Sequence, residues 1–285
     1  MKIGAIIQAR SSSTRLPKKV LKELPCGSGI TVLEQVINRL KKSKFVNVII
    51  VATTLNPEDK SIIRIAKKES VNYFRGSTDD VLERFYLAAK ENNLDVIVRV
   101  TSDCPCIDPG IVDSVIGEHI KNDFDYTSNV LGGFPRGLDV EVFSFGSLKR
   151  AYLESKQKSE REHVGPYIYK NKPEEFKIGK VYAQDEIAKN DDIRITLDTI
   201  EDYALLCVLF DYLYSKDEFF NVKDVVSLFE LKPWLKLINV NIRQKQHFTD
   251  FKDEIDESIR ILNLQELYSA KKILEDYINE DINHN

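Results

Sequence analysis

An α/β fold with a mostly parallel, doubly wound sheet follows from three features of the sequence. Four short apolar runs, at residues 3–7, 46–52, 71–74 and 96–100, are separated by segments with helical periodicity. Continuous apolar runs of that length are the pattern of strands buried on both faces. Strand and helix alternate at βαβ spacing four times, which favours parallel pairing. The first run also leads into a loop of small hydroxyl residues, Ser11, Ser12, Ser13 and Thr14, set among the cations Arg10, Arg15, Lys18 and Lys19. Open α/β sheets collect anionic ligands at that end of a strand.

The elements follow in order. Thr31 with Glu34 forms a capping-box pattern before apolar positions 33, 36, 37 and 40, so a helix starts there. Asn56-Pro57 opens the next helix, with proline at its first position. The stretch Arg75 to Leu82 leads into another, and Asp108-Pro109 begins a fourth. Beyond it the pattern changes. Residues 125–129 and 140–143 read as short strands joined by a glycine-rich link, 148–153 as helix, and 176–181 and 193–197 as strands. Thr199 with Asp202 caps an apolar helix running to about Tyr214, and 222–231 is a shorter helix. From 244 the chain becomes charge-dense. An apolar stripe over 262–278 predicts an amphipathic helix, about 256–279, that docks on the main domain or on a second subunit. The expected organisation is one domain at 1–243 and a helical extension at 244–285.

Composition excludes several classes. A net charge of −4 over 285 residues gives no global field of the kind nucleic-acid binders use. No apolar run approaches the roughly 18 residues needed to span a bilayer. The default is a soluble cytoplasmic protein. The four cysteines are scattered, and Cys104-x-Cys106 is not a zinc spacing. The loop after the first strand has neither GxxxxGK[ST] nor GxGxxG spacing. By charge alone it is either a solvated basic loop or an anion pocket.

Spacing separates those two readings. The run Gln8-Ala-Arg-x-x-Ser-Thr-Arg-Leu-Pro is joined by Val51-Ala-Thr-Thr, Arg75-Gly-Ser-x-Asp-Asp-Val-Leu and Val98-Arg-Val-Thr-x-Asp-Cys-Pro-x-Ile-Asp-Pro. Further on stand Asp125-Tyr-x-Ser-Asn, Gly137-Leu-Asp-Val-Glu-Val-Phe, Arg161-Glu-His-Val-x-Pro-Tyr and Thr196-Leu-Asp-Thr-x-Glu-Asp. In this order they resemble the cytidylyltransferases that make CMP-activated acidic sugars: the CMP-Kdo and CMP-sialate synthetases and, above all, the SpsF-like spore-coat polysaccharide proteins. The resemblance covers about residues 1–240. It departs at Ser12, Lys18 and Ser102, where the family usually carries glycine.

The resemblance implies the nucleotide-diphospho-sugar transferase type of sheet, with an inserted acceptor and dimerisation region. It also implies transfer of CMP from CTP to an acidic sugar or sugar-like acceptor, with Mg²⁺ as cofactor and a homodimer as the assembly. Carried over by position, Arg10, Ser13, Arg15 and Lys19 hold the triphosphate. Ala9, Thr53, Ser77 and Asp80 line the nucleotide pocket, although Ser77 and Asp80 also suit ordinary helix capping. Asp103, at the end of a buried strand, and Asp198 become metal carboxylates, each with a cap or turn role as its alternative. Asn129, Gly137, Asp139, Glu141, Arg161 and His163 fall where the family contacts the sugar, and Arg136 or Arg161 would meet an acidic sugar's carboxylate. For Asp139 and Glu141 an edge-strand surface role stays open, and for His163 a structural one. Three other functions stay open: a sugar-1-phosphate nucleotidyltransferase using another NTP, a glycosyltransferase of similar topology, and a non-catalytic nucleotide-binding scaffold. Ser102-Asp103-Cys104 lacks the Asp-x-Asp motif that the glycosyltransferase reading wants.

Overall fold

A computed structural model describes residues 1–242 and 251–282. A seven-stranded mixed sheet carries the chain, in the order β3-β2-β1-β4-β6-β5-β7. The strands are β1 (Ile3–Gln8), β2 (Val48–Thr54), β3 (Asn72–Gly76), β4 (Val96–Thr101), β5 (Tyr126–Ser128), β6 (Glu141–Ser144) and β7 (Ile178–Lys180). The first four are parallel, and β6 runs antiparallel to both β4 and β5. The four apolar runs are therefore the four parallel strands.

Side chains along these strands alternate between two buried faces with period two. Ile3, Ala5 and Ile7 of β1 and Val96, Val98 and Val100 of β4 join the core on one face, while Ile6 and Ile97 join the core on the other. Helices α1 (Val32–Leu40), α2 (Lys60–Lys68), α4 (Pro109–Lys121), α8 (Ile200–Leu213) and α9 (Val222–Leu231) contribute to the first core. Helices α3 (Val81–Glu91) and α5 (Phe145–Glu154) contribute to the second. Each fully buried Leu, Ile or Phe on these faces is worth about 1.5–3 kcal/mol of transfer free energy. The short helices α6 (Lys158–His163) and α7 (Asp185–Ala188) complete this part.

Helix starts follow their capping residues. Thr31 and Glu34 close a capping box on α1, and Thr199 and Asp202 close one on α8. Asp108 caps α4 through Gly110 N–H at 2.7 Å, with Pro109 at the first helical position. Strand order reverses around β1, with β2 and β3 on one side and β4 on the other. The carboxyl ends of β1 and β4 therefore flank a topological switch point.

Two expected elements differ. Residues 193–197 form no strand; they touch the neighbouring loop through one isolated bridge, Arg136 with Arg194. Their apolar alternation reflects burial of Ile193, Ile195 and Leu197 in the first core, not sheet pairing. The expected helix at 256–279 is two helices, α10 (Phe251–Leu264) and α11 (Tyr268–Ile282). Between them Glu266 takes φ 56° and Leu267 N–H bonds back to Leu262 at 2.9 Å, a left-handed helix termination. Internal contacts divide the chain into Met1–Asn241 and Ile242–Asn285. The expected boundary at 243/244 lies outside the described residues. Among the described residues no helix is long and apolar enough to cross a membrane.

Candidate active site

The loop after β1 closes on itself ahead of Lys19. Ser13 and Lys18 N–H groups both donate to Ser11 C=O, at 3.0 and 3.1 Å. Asp59 anchors this turn from beneath. Its buried carboxylate accepts from Ser11 N–H at 2.8 Å and from the Ser11 and Thr54 hydroxyls. Burial favours the neutral acid, but the bonds from Ser11 and Thr54 outweigh it and hold the carboxyl below its ordinary range. Lys18 takes the left-handed φ of 56°, the conformation glycine adopts at least cost, at a position where the SpsF-like motif usually has glycine.

Past that turn, Lys19 points its ammonium between two carboxylates. Its Nζ lies 2.6 Å from Asp103 Oδ2 and 2.8 Å from Asp198 Oδ1. Arg15 reaches the same Asp198 oxygen at 3.1 Å. Asp103 follows β4, two residues past its end. Asp198 arrives through the 193–198 segment, which is tied down by Leu197 N–H to Asp103 C=O at 2.8 Å. The four residues therefore meet at the switch point between β1 and β4. Burial disfavours charge on Lys19, but Asp103 and Asp198 outweigh it and raise its pKa. Burial also opposes ionisation of Asp198, yet Lys19, Arg194 and Arg15 hold that carboxyl well below the usual carboxylate range. The cluster is a charged one, built from hard oxygen donors and flexible cations.

Other candidate residues have mixed surroundings. Arg10 is exposed. Its charge acts on buried Arg84, which burial first and Arg10 second push down to about 10. The Ala9 N–H is used by Ala52 C=O at 3.1 Å, Ser13 is half-buried and Thr53 is fully buried. Ser77 and Asp80 form the start of α3: the Ser77 hydroxyl accepts from Asp80 N–H at 3.0 Å, and Asp80 accepts from Glu83 N–H at 2.8 Å. Asp80 also pairs with Arg161, whose Nη1 bonds Tyr152 C=O at 2.7 Å. A nucleotide candidate and an acceptor candidate are thus bound to each other. Asn129 braces the backbone, donating to Leu138 C=O at 2.8 Å and accepting from Val140 N–H at 2.7 Å. Glu141 is buried against Arg99 and accepts from the Tyr126 hydroxyl at 2.7 Å. Asp139 feels burial most, and its carboxyl is raised, with Arg136 opposing and Glu141 and Asp103 adding to the rise. His163 ends α6, half-buried.

Sequence reading missed Asp59, Arg84, Arg194 and Asn239, and read Asp202 only as a cap. Arg194 donates to Asp198 Oδ2 at 2.8 Å and grips Asp202 at 2.9 and 3.0 Å. Asn239 donates to Asp202 at 2.9 Å and to Arg194 C=O at 3.1 Å. The available signal was the spacing Arg194-x-x-x-Asp198-x-x-x-Asp202, which sets one cation ahead of two carboxylates at four-residue intervals.

Comparison with known proteins bears on this geometry. The model of a cytidylyltransferase family matches residues 4–267. The chain belongs to that family. An uncharacterized protein of Methanocaldococcus jannaschii is 42% identical to this cytidylyltransferase over 252 residues, covering 87% of this chain and 98% of its own. The spore coat polysaccharide biosynthesis protein SpsF of Bacillus subtilis is 30% identical over 233 residues, covering 80% and 94%. A solved cytidylyltransferase from Leptospira borgpetersenii shares 36% identity at a TM-score of 0.76, covering 87% of this chain and 100% of that one. The resemblance drawn from the motifs, the α/β fold and the enzyme class are borne out together.

Proposed function

We propose that this cytidylyltransferase moves CMP from CTP to an acidic sugar or sugar-like acceptor. The observation that carries the reading is the convergence of Asp103, Asp198 and Lys19 at the sheet's switch point. An acceptor oxygen attacks the α-phosphorus in line, and its new O–P bond forms as the bond to the leaving pyrophosphate oxygen breaks. Arg10, Arg15 and Lys19 neutralise charge on that pyrophosphate, so the protein works by positioning and electrostatics.

The donor set fits a hard divalent cation. Two carboxylates already share one ammonium, and carboxylate oxygens suit Mg²⁺. Among the described residues no group of three or more His, Cys, Asp or Glu is arranged to hold a metal. Two protein ligands completed by phosphate oxygens and water is the arrangement Mg²⁺ commonly takes. When bound, Mg²⁺ would supply charge neutralisation on the triphosphate, with Asp103 and Asp198 holding it.

For an acidic acceptor, the candidate carboxylate partners are Arg136 and Arg161. Arg161 is committed to Asp80 and Tyr152. Arg136 sits in the field of Asp139, Arg194 and Asp198, beside the carboxylate cluster. The physiological setting we infer is glycan biosynthesis in the cytoplasm by a homodimer, with 244–285 as its helical extension. Pyrophosphate release measured with each of four NTPs and a panel of acid sugars and sugar phosphates tests the reaction. CTP with an acid sugar should give the fastest release; faster release with GTP, UTP or ATP would overturn the nucleotide assignment.

A further inference from the structure

The two oxygens of Asp198 have separate tasks. Oδ1 is shared by Lys19 and Arg15, two long side chains that come from the loop after β1. Oδ2 is held by Arg194, at 2.8 Å. Arg194 itself has little freedom. Its side chain is 10% exposed, and its Nε and Nη2 grip both oxygens of Asp202, which is fully buried. Asp202 in turn accepts from Asn239 at 2.9 Å and from the N–H groups of Asp198 and Thr199 at 2.9 and 3.1 Å. The same carboxylate therefore fixes the backbone of Asp198 directly and its side chain through Arg194.

We propose that Arg194 is a positioning residue for Asp198, fixing its carboxylate so that Oδ1 is the oxygen turned to Lys19 and Arg15 and left for a metal. The proposal rests on the reading of Asp198 as a metal carboxylate. Within that reading it assigns the Arg194–Asp202–Asn239 network a defined task. A guanidinium fork bridging two carboxylates fixes an angle that a lone ammonium cannot, so the network holds geometry as well as charge.

Charge and geometry make opposite predictions here. A cation beside a metal carboxylate repels the metal, so removing Arg194 should tighten metal binding if charge is its whole contribution. Loss of a partner that orients a ligand weakens metal binding, commonly by about 10–100-fold. Arg194→Lys separates the two, because it keeps the charge and loses the fork.

The test is titration of Mn²⁺ alone into the full chain, read by the electron paramagnetic resonance of free Mn²⁺, with thermal midpoints on the same preparations. Wild type, Asp198→Asn, Arg194→Lys and Arg194→Met are compared. The expected result is loss of the site in Asp198→Asn and weakening by about tenfold or more in both Arg194 variants. Arg194→Met leaves Asp202 without its partner, so if it fails to fold, Arg194→Lys decides. Unchanged or tighter Mn²⁺ binding in a folded Arg194→Lys, with the site still lost in Asp198→Asn, overturns the proposal alone. Mn²⁺ binding that is absent from wild type, or indifferent to Asp198→Asn, overturns the metal reading and this proposal with it.

Discussion

Lys19 Nζ lies 2.6 Å from Asp103 Oδ2, across 84 residues of sequence. The same ammonium reaches Asp198, 179 residues from Lys19 in sequence, at 2.8 Å. One side chain from the loop after β1 therefore ties together the end of β4 and the segment that precedes α8. Both carboxylates stay in one place because the cation between them offsets their mutual repulsion. A triphosphate would offer that ammonium a richer set of anionic oxygens. The pair is thus held ready without being locked, since Lys19 is a flexible chain and neither carboxylate is fully buried.

The loop after β1 depends on Asp59. It is buried and accepts from one N–H and two hydroxyls, and an alanine there would leave all three donors without it. Asp59→Ala should destabilise the fold by about 2–4 kcal/mol, the scale of breaking a buried hydrogen-bond network. It should also weaken CTP binding, because Ser11 sets the path of the loop. Urea unfolding and CTP titration on the same variant check both effects. Normal CTP affinity in a folded variant would separate the loop's path from its function.

Gly137 is required by space and by backbone angle. Its φ is +108°, and a Cβ there would stand 2.7 Å from the carbonyl carbon of Ile195. That contact is with backbone, so it cannot be relieved by a rotamer change. Gly137→Ala should cost about 2 kcal/mol or more. It should also lower activity, since the displaced segment carries Asp198. A thermal midpoint equal to wild type would contradict the packing argument.

His119 sets the upper part of the acid limb of stability. It is buried, with Nδ1 3.1 Å from the Thr127 hydroxyl. Burial pushes its pKa down to about 4, with Asp125 and Asp123 opposing. The unfolded chain therefore takes up the proton first, near pH 6.5. Stability should be full above pH 6.5 and fall as pH drops towards 4, by up to about 3 kcal/mol. Asp59 and Asp198 act in a lower window: their depressed pKa values give stability above the ordinary carboxylate range that is lost as pH falls through it. Urea unfolding between pH 4.5 and 7.5 should show a slope in wild type that is flattened in His119→Gln. An equal slope in the variant would remove His119 from the account.

The strands and the cation loop were legible because they are local. Ile3, Ile6 and Ile7 announce a strand buried on both faces, and capping pairs such as Thr31 with Glu34 announce helix starts. Asp103 stood out by its place at the carboxyl end of a buried strand and Asp198 by motif resemblance, but nothing local says that they meet. Residues 193–197 alternate as a strand would, yet their neighbours are a loop, and burial alone produces the same pattern. Asp80 and Arg161 show the limit from the other side. Each resembles a ligand-binding position, and only the fold reveals that they pair with each other. Arg194 was passed over although its spacing to Asp198 and Asp202 was there to read, and Asn239 was missed because its partner Asp202 is distant in sequence.

The central claim is that Asp103 acts in the reaction and contributes little to the fold. The most direct measurement is pyrophosphate release from CTP by wild type and Asp103→Asn at saturating Mg²⁺, with thermal midpoints on the same preparations. Asn keeps the shape and removes the charge, and Lys19 keeps Asp198 as a partner at 2.8 Å. Stability should therefore move by about 0.5 kcal/mol or less, while the rate falls by about a hundredfold or more. A lowered midpoint with near-normal pyrophosphate release would make Asp103 a structural residue and contradict the account.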